Sequence, residues 1–282
     1  MEIYFNELSI LPQCVNDDDA RQKVYTLLET MKALRQHDFN VLRTHDDFYA
    51  EDLGNGYSFS NFINDPNVKK DIKILLRSII KNPFIPLEDS YEAEIFVNTK
   101  FETTNHLGNI VSPEGLAASY VNALPTLSLT GCAYWENSTL YLRITDSETN
   151  ESLSEDIINL FSPQSLGCIE FTEWIKSITV QIELNSFDNI VKLFPSPKYQ
   201  FDQQAISDIL SWLNDDKRFL IRIKKLLNDI VKNPYSGGLG KTELLSHSGK
   251  VSKRIIKKDR IIYSIANEII TIHQCRGHYN DN

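Results

Sequence analysis

Between Gly240 and Tyr279 the chain strings a carboxylate, several cations and an imidazole along short apolar stretches: Lys241 and Glu243, Lys253 and Arg254, Arg260, then Arg276, His278 and Tyr279. These are the groups that metal-free cleavage of RNA by its own 2′-hydroxyl requires. A base removes the 2′ proton, fixed cations hold the extra charge on the phosphorus centre, and an acid returns a proton to the leaving 5′-oxygen. Glu243 can be the base, because a carboxylate beside a cation and a strand surface has a pKa that is tunable in either direction. Lys241, Arg254 and Arg260 can hold the phosphate, the arginines through planar forks that match its oxygens. Lys253 and Arg276 add charge for substrate binding. His278 is the natural acid, since imidazole titrates nearest neutrality, and Tyr279 can stack on a base or orient the phosphate.

Each residue also has an ordinary reading. A Glu after a Gly-Lys turn is commonly a solvated loop carboxylate, and Lys253, Arg254, Lys257, Lys258 and Arg260 can be the wet face of a hairpin. A His near a C-terminus is more often tail than catalyst. The joint occurrence of these types, in this order and within about forty residues, favours chemistry.

Residues 198–282 also resemble the YoeB-type toxins of the RelE superfamily, ribosome-dependent mRNA interferases, over essentially the full length of that small domain. Trp212 followed by Asp216-Lys217-Arg218, the helix through Ile223 and Leu227, Asn233-Pro234-Tyr235 and Gly240-Lys241 carry the first half of the likeness. Ser252-Lys253-Arg254-Ile255, Arg260 with Tyr263, and Cys275-Arg276-Gly277-His278-Tyr279 carry the second. The resemblance implies Glu243 as general base, Arg260 and Arg254 as transition-state stabilisers, His278 as general acid, Tyr279 as a substrate-placing residue and Lys241 as charge near the scissile phosphate. It implies no cofactor and no metal, and as partners mRNA, the ribosome and an antitoxin protein. Thr242 stands where the family usually has Pro and Val251 where it usually has Trp, which bears on local RNA or ribosome contacts.

Charge divides the chain the same way. Residues 198–282 hold fifteen Lys and Arg against nine Asp and Glu, a balance of +6, and the other 197 residues hold fourteen against twenty-nine, a balance of −15. Such asymmetry points to a polyanion-binding module joined to one that does not bind polyanions. With 282 residues and 41% apolar content the chain can fill two cores. The expected fold is α+β, with a mixed α/β domain over 1–194 and a RelE-like domain over 195–282, meeting at Phe194-Pro195-Ser196-Pro197. So short a linker makes restraint of the toxin-like part by the acidic part an expectation. Cys14, Cys132, Cys168 and Cys275 form no CxxC pair and fit free thiols in a reducing cytoplasm. The start at Met1-Glu2-Ile3-Tyr4 lacks a signal peptide's basic and apolar regions, and no run approaches 18 apolar residues.

To position the candidate residues, a strand at Tyr199–Phe201 precedes a helix through Ile206, Leu210 and Leu213, then a second helix from about 215 to 231. Strands at about 251–257, 260–266 and 269–275, with short connections at Lys258-Asp259 and Asn267-Glu268, predict a mainly antiparallel sheet under two helices. Alternation puts Ile261, Tyr263 and Ile265 against the helices, and Arg260, Ile262 and Ser264 on the open face. Cys275 is expected in the last strand as a small buried hydrophobe.

In the N-terminal part the pattern predicts a strand at 2–5, a helix at 18–37 capped by Asn16 or Asp17, and a helix at 66–81. It further predicts strands at 93–97, 127–135, 139–144 and 178–184, with Glu136-Asn137-Ser138 as a hairpin turn. Glu92, Glu94 and Lys100 read as strand-surface charges, and His37, His45 and His106 as solvated or capping residues. Two functions remain: a fused mRNA interferase, or a ribosome- or RNA-docking module attached to a stress- or defence-related domain. Retention of Glu243, Arg254, Arg260, His278 and Tyr279 together favours the enzyme.

Overall fold

The computed structural model describes residues 1–85, 91–147, 150, 152–179, 198–215, 218–237, 241–245, 248–256 and 259–277. The chain divides into two compact units, Met1–Ile175 and Lys176–Asn282. The expected junction at Phe194–Pro197 lies outside the described residues.

The first unit is built on an eight-stranded sheet. Its elements are β1 (Glu2–Phe5), α1 (Asp17–Leu34), β2 (Val41–Arg43), α2 (Phe59–Asn64), α3 (Lys70–Ile79) and β3 (Ile80–Lys81). These are followed by α4 (Tyr91–Asn98), β4 (Thr99–Thr104), β5 (Ile110–Val111), α5 (Glu114–Asn122), β6 (Thr126–Leu127), β7 (Thr139–Asp146), β8 (Ser152–Leu160) and α6 (Ile169–Thr179). The strand order is β3-β2-β1-β6-β8-β7-β4-β5. The first five strands run parallel and the rest join antiparallel. Parallel neighbours require crossover connections, which α1 and the α2–α3 segment supply. Ile3, Phe5, Leu27, Leu34, Phe39 and Leu42 fill the core at 1% exposure or less.

The cap of α1 is Asn16, whose side chain accepts from the Asp19 amide at 2.9 Å, with Asp17, Asp18 and Asp19 complementing the helix dipole. The helix ends at Leu34 and continues to His37 only as a 3₁₀ turn. The helix expected from residue 66 starts at Lys70, because Asp65 closes a turn first. Its carboxylate accepts from the Asn67 amide at 2.8 Å and its carbonyl from Val68 at 3.2 Å.

Two expected strands are not strands. Residues 93–97 are helical, within α4, with Ala93, Ile95 and Phe96 packed on the core; five residues of Ala-Glu-Ile-Phe-Val satisfy either period. Of 127–135 only Leu127 is in a strand, because the chain then turns into a buried polar network. Asn6 donates to Ser128 Oγ at 2.9 Å, Ser128 donates to Asn159 at 2.7 Å, and Asn159 donates to the Trp135 carbonyl at 2.7 Å. Glu136-Asn137-Ser138 therefore follows a turn, with the Trp135 amide bonded to the Cys132 carbonyl, and links no two strands as a hairpin. Of the strand expected at 178–184, the first two residues end α6 and the rest lie outside the described residues.

Lys100 pairs with Glu102 at 2.7 Å on β4. His45 is not solvated: it follows β2 into an aromatic cluster with Phe48 and Phe84, its Nε2 lying 2.9 Å from Glu51. His37 packs edge-on to Phe171. Among the described residues no helix is long and apolar enough to cross a membrane.

Glu7 closes the start of α5, accepting from the amides of Glu114 at 2.7 Å and Gly115 at 2.8 Å. Position 115 must be glycine, since a Cβ there would lie 1.9 Å from the Phe5 carbonyl oxygen. Burial raises the Glu7 carboxyl from 4.5 to about 7 even though the amide bonds lower it. The folded chain thus keeps a proton that the unfolded chain releases above 4.5, so stability falls as pH rises from 4.5 to about 7. We expect Glu7→Gln to flatten this part of the profile in urea titrations at pH 5 and pH 8. Equal pH slopes for parent and variant would remove Glu7 as its source.

The second unit begins with β9 (Tyr199–Phe201), α7 (Gln203–Asp215) and α8 (Arg218–Lys232). It ends with β10 (Thr242–Leu245), β11 (Lys250–Ile256), β12 (Asp259–Ala266) and β13 (Ile269–Gln274). The sheet order is β10-β11-β12-β13-β9, antiparallel except for the parallel β13–β9 pair. Asn267 and Glu268 have φ of 52° and 63°, the left-handed pair that a two-residue hairpin demands. Ile206, Ile209 and Trp212 of α7 and Ile223, Leu227 and Ile230 of α8 meet Ile261, Tyr263, Ile270 and Ile272 in one core. The face predicted to pack on the helices does so. Cys275 is fully buried but lies just past β13, and burial pushes its thiol well above the usual range.

Candidate active site

β10, which sequence pattern alone did not resolve from its loop, is the edge strand that carries Glu243. Glu243 lies opposite Ser252 in the register, and Arg254 lies directly opposite Arg260. The Arg254 amide donates to the Lys241 carbonyl at 3.0 Å, continuing that register by one step. Residues directly opposite in an antiparallel pair share a face, with Cβ atoms about 5 Å apart. One row across the face turned away from the helices is therefore Lys241, Arg254 and Arg260, and the next is Glu243, Ser252 and Ile262, of which Arg260, Ser252 and Ile262 are buried.

Within this group Lys241 Nζ lies 3.3 Å from a Glu243 carboxylate oxygen, both side chains being about half exposed. Arg254 is partly buried, and Arg260 is 7% exposed. The guanidinium expected on an open surface is thus enclosed within that face. Two planar forks on adjacent strands have the geometry to meet the oxygens of a phosphate.

Lys253 goes elsewhere. Alternation from Arg254 turns it toward the helices, where it is fully buried, in contact with the Asp229 carboxylate of α8 and donating to the Gly237 carbonyl at 3.0 Å. The substrate-binding role expected of it is corrected accordingly: its ammonium is occupied inside the unit. Tyr263 donates to the Pro234 carbonyl at 2.6 Å and Thr242 to Gly237 at 3.3 Å. Together these bonds fix the segment after α8, from which the chain leads to Lys241.

The end of the described chain is clamped beside Arg260. The Gly277 amide donates to Asp259 Oδ1 at 2.6 Å, and Asp208 of α7 accepts from the amides of Cys275 at 2.8 Å and Arg276 at 3.1 Å. Trp212 donates to the Cys275 carbonyl at 2.7 Å. The Arg276 guanidinium stacks over the Trp212 ring at 4.6 Å and contacts Ser211, which ties it to α7. His278 and Tyr279 lie outside the described residues. Asp208, Ser252 and Asp259 were absent from the candidates drawn from sequence. Counting by two along β11 from Arg254 identifies Ser252, whereas nothing local marks Asp208, some seventy residues from its partners.

A model of the YoeB-like toxin of bacterial type II toxin-antitoxin systems matches residues 201–279. Toxin YoeB of Escherichia coli K12 is 34% identical over 84 residues, which are 29% of this chain and 99% of the relative. Toxin RelK of Mycobacterium tuberculosis is 37% identical over 81 residues, 28% of this chain and 94% of the relative. Among solved structures, the YoeB dimer from Staphylococcus aureus is 32% identical, covering 29% of this chain and 97% of that one, with a TM-score of 0.28. A YoeB-YefM complex from the same organism is 31% identical over 29% of this chain and 95% of that one, with a TM-score of 0.27. Through its C-terminal part, the chain belongs to the YoeB-like toxins of type II toxin-antitoxin systems.

Proposed function

We propose that the C-terminal part is an mRNA interferase that cleaves message on the ribosome in the cytoplasm, without metal or cofactor, by attack of a ribose 2′-hydroxyl. The observation that carries this reading is the pair of rows on the sheet face turned away from the helices, three cations beside one carboxylate. Glu243 takes the 2′ proton, and Lys241, 3.3 Å from its carboxylate, adds positive charge near the phosphate. Arg254 and Arg260 bind the phosphate from adjacent strands and stabilise the charge that develops on its oxygens. His278 returns the proton to the leaving 5′-oxygen, and Tyr279 places the substrate. Arg276, stacked on Trp212, presents its charge at the margin. An antitoxin protein is the partner that family membership supports, and the acidic N-terminal domain, at −15, is a restraint on the basic one in the same chain.

The test is induced expression of the intact chain and of residues 195–282 in a bacterium, with mRNA 5′ ends mapped. Growth arrest with new codon-phased ends, stronger for the fragment, is the expected result. Intact message from both proteins would favour the docking module. Equal arrest by both would remove the restraint and leave the nuclease.

A further inference from the structure

On the same sheet, toward the β12–β13 turn, stands a second group of residues that RNA cleavage does not use. Ser264 Oγ of β12 lies 2.8 Å from His273 Nε2 of β13, and His273 Nδ1 lies 2.6 Å from Asp202 Oδ2 at the start of α7. An ionised carboxylate only accepts, so Nδ1 of a neutral ring carries the proton and donates it to Asp202. Nε2 is then left as the acceptor for the Ser264 hydroxyl. This is the order of roles that activates a serine: a nucleophile bonded to a base, and the base oriented by a buttressing acid. Both bonds fall within the 2.6–3.2 Å reach that such a relay needs.

The fold holds the three residues together by pairing rather than by sequence proximity. Ser264 lies opposite Thr271, and His273 is the extra residue of a β-bulge between Ile272 and Gln274, which turns its ring to Ser264 Oγ, 2.8 Å away. The parallel β9–β13 pair brings Asp202 alongside, with its amide bonded to the Ile272 carbonyl at 2.9 Å. Ile270 and Ile272, which alternate with Thr271 and His273, are buried against the helices, so the relay faces outward. The His273 side chain is 19% exposed and that of Asp202 is 52% exposed. Thr271 offers an O–H donor directly opposite Ser264, and Gln200, opposite Thr271 on β9, is one strand farther on the same face. Ser264 is four positions from Arg260 along β12, about 14 Å of strand at ~3.4 Å per residue. The two groups are thus distinct centres on one face.

We propose that Ser264, His273 and Asp202 form a second catalytic centre, a serine nucleophile acting on carboxylic esters. Ser264 Oγ bonds to the carbonyl carbon while its proton passes to His273 Nε2. The ester C–O bond breaks, and the leaving alcohol takes that proton. Water, deprotonated by the same nitrogen, then releases the acid and restores the hydroxyl. Thr271, directly opposite Ser264, is the donor nearest to where the oxyanion forms. An open sheet face has no deep walls, so short acyl groups are the fitting class.

The test uses the intact chain and a fluorophosphonate probe, which forms a Ser–O–P bond and expels fluoride, followed by peptide mass mapping. The expected result is a single adduct on Ser264, absent from heat-denatured protein and from His273→Ala. Asp202→Asn should slow both labelling and 4-nitrophenyl acetate hydrolysis by about 10²- to 10⁴-fold, as loss of the orienting carboxylate does in other serine relays. No adduct on the folded protein, or an adduct that persists in His273→Ala, overturns the proposal. Folding of the variants is checked by circular dichroism. The probe is read without RNA, so either outcome leaves the interferase reading to its own test.

Discussion

Glu243→Gln is expected to lower RNA cleavage by the intact chain about 10²- to 10⁴-fold, the usual contribution of a positioned general base. Thermal stability should barely move. Glutamine keeps the size and one acceptor of glutamate but cannot take the 2′ proton. What the folded state loses is a contact between two half-exposed side chains 3.3 Å apart on an edge strand, and such surface pairs contribute at most about 1 kcal/mol. The loss should therefore appear in single-turnover rates on ribosome-bound message, with binding of that message unchanged. Unaltered rates would remove Glu243 from the chemistry. A fall in rate accompanied by an equal fall in melting temperature would assign it a structural role on β10.

How far this site was legible in advance follows from the range over which its parts communicate. Alternation within β12 is a local property, so the burial of Ile261 and Tyr263 and the outward register of Arg260 could be read from seven residues. The burial of Arg260, at 7% exposure, could not, because alternation fixes the face a side chain takes and not what lies over that face. β10 was missed since Thr-Glu-Leu-Leu is too short to show a period, and it becomes a strand only by pairing with β11. Lys253 and Arg254 form one run of charge in the sequence, yet adjacent strand residues point to opposite faces. In the N-terminal unit, α4 was read as a strand because five apolar-rich residues fit both periods. Of the relay, the hairpin between 260–266 and 269–275 brings Ser264 and His273 to one region, whereas nothing local marks Asp202. The serine sits inside an apolar run and the acid lies some seventy residues from the histidine, joined only by a parallel strand pair.

The buried Lys253–Asp229 pair separates a structural role from a substrate role more sharply than any exposed residue does. Asp229→Ala would leave an ammonium at 0% exposure without its carboxylate, though still bonded to the Gly237 carbonyl, and Lys253→Met would leave a buried carboxylate without its ammonium, though Asn233 still donates to it at 3.0 Å. Removing one partner of a buried ion pair costs about 3–5 kcal/mol, which in a unit of this size lowers the melting temperature by more than about 10 °C. Replacing both together, as Lys253→Met with Asp229→Leu, removes the desolvation of two charges and should recover most of that loss. Cleavage is the discriminating readout. Lys253 precedes Arg254 on β11, and its bond to α8 helps hold that strand in the register that sets Arg254 opposite Arg260. If the pair is structural, the double variant regains cleavage along with stability, because no phosphate contact has been lost. If the ammonium instead meets RNA in the working complex, the double variant will fold well and still show a raised KM.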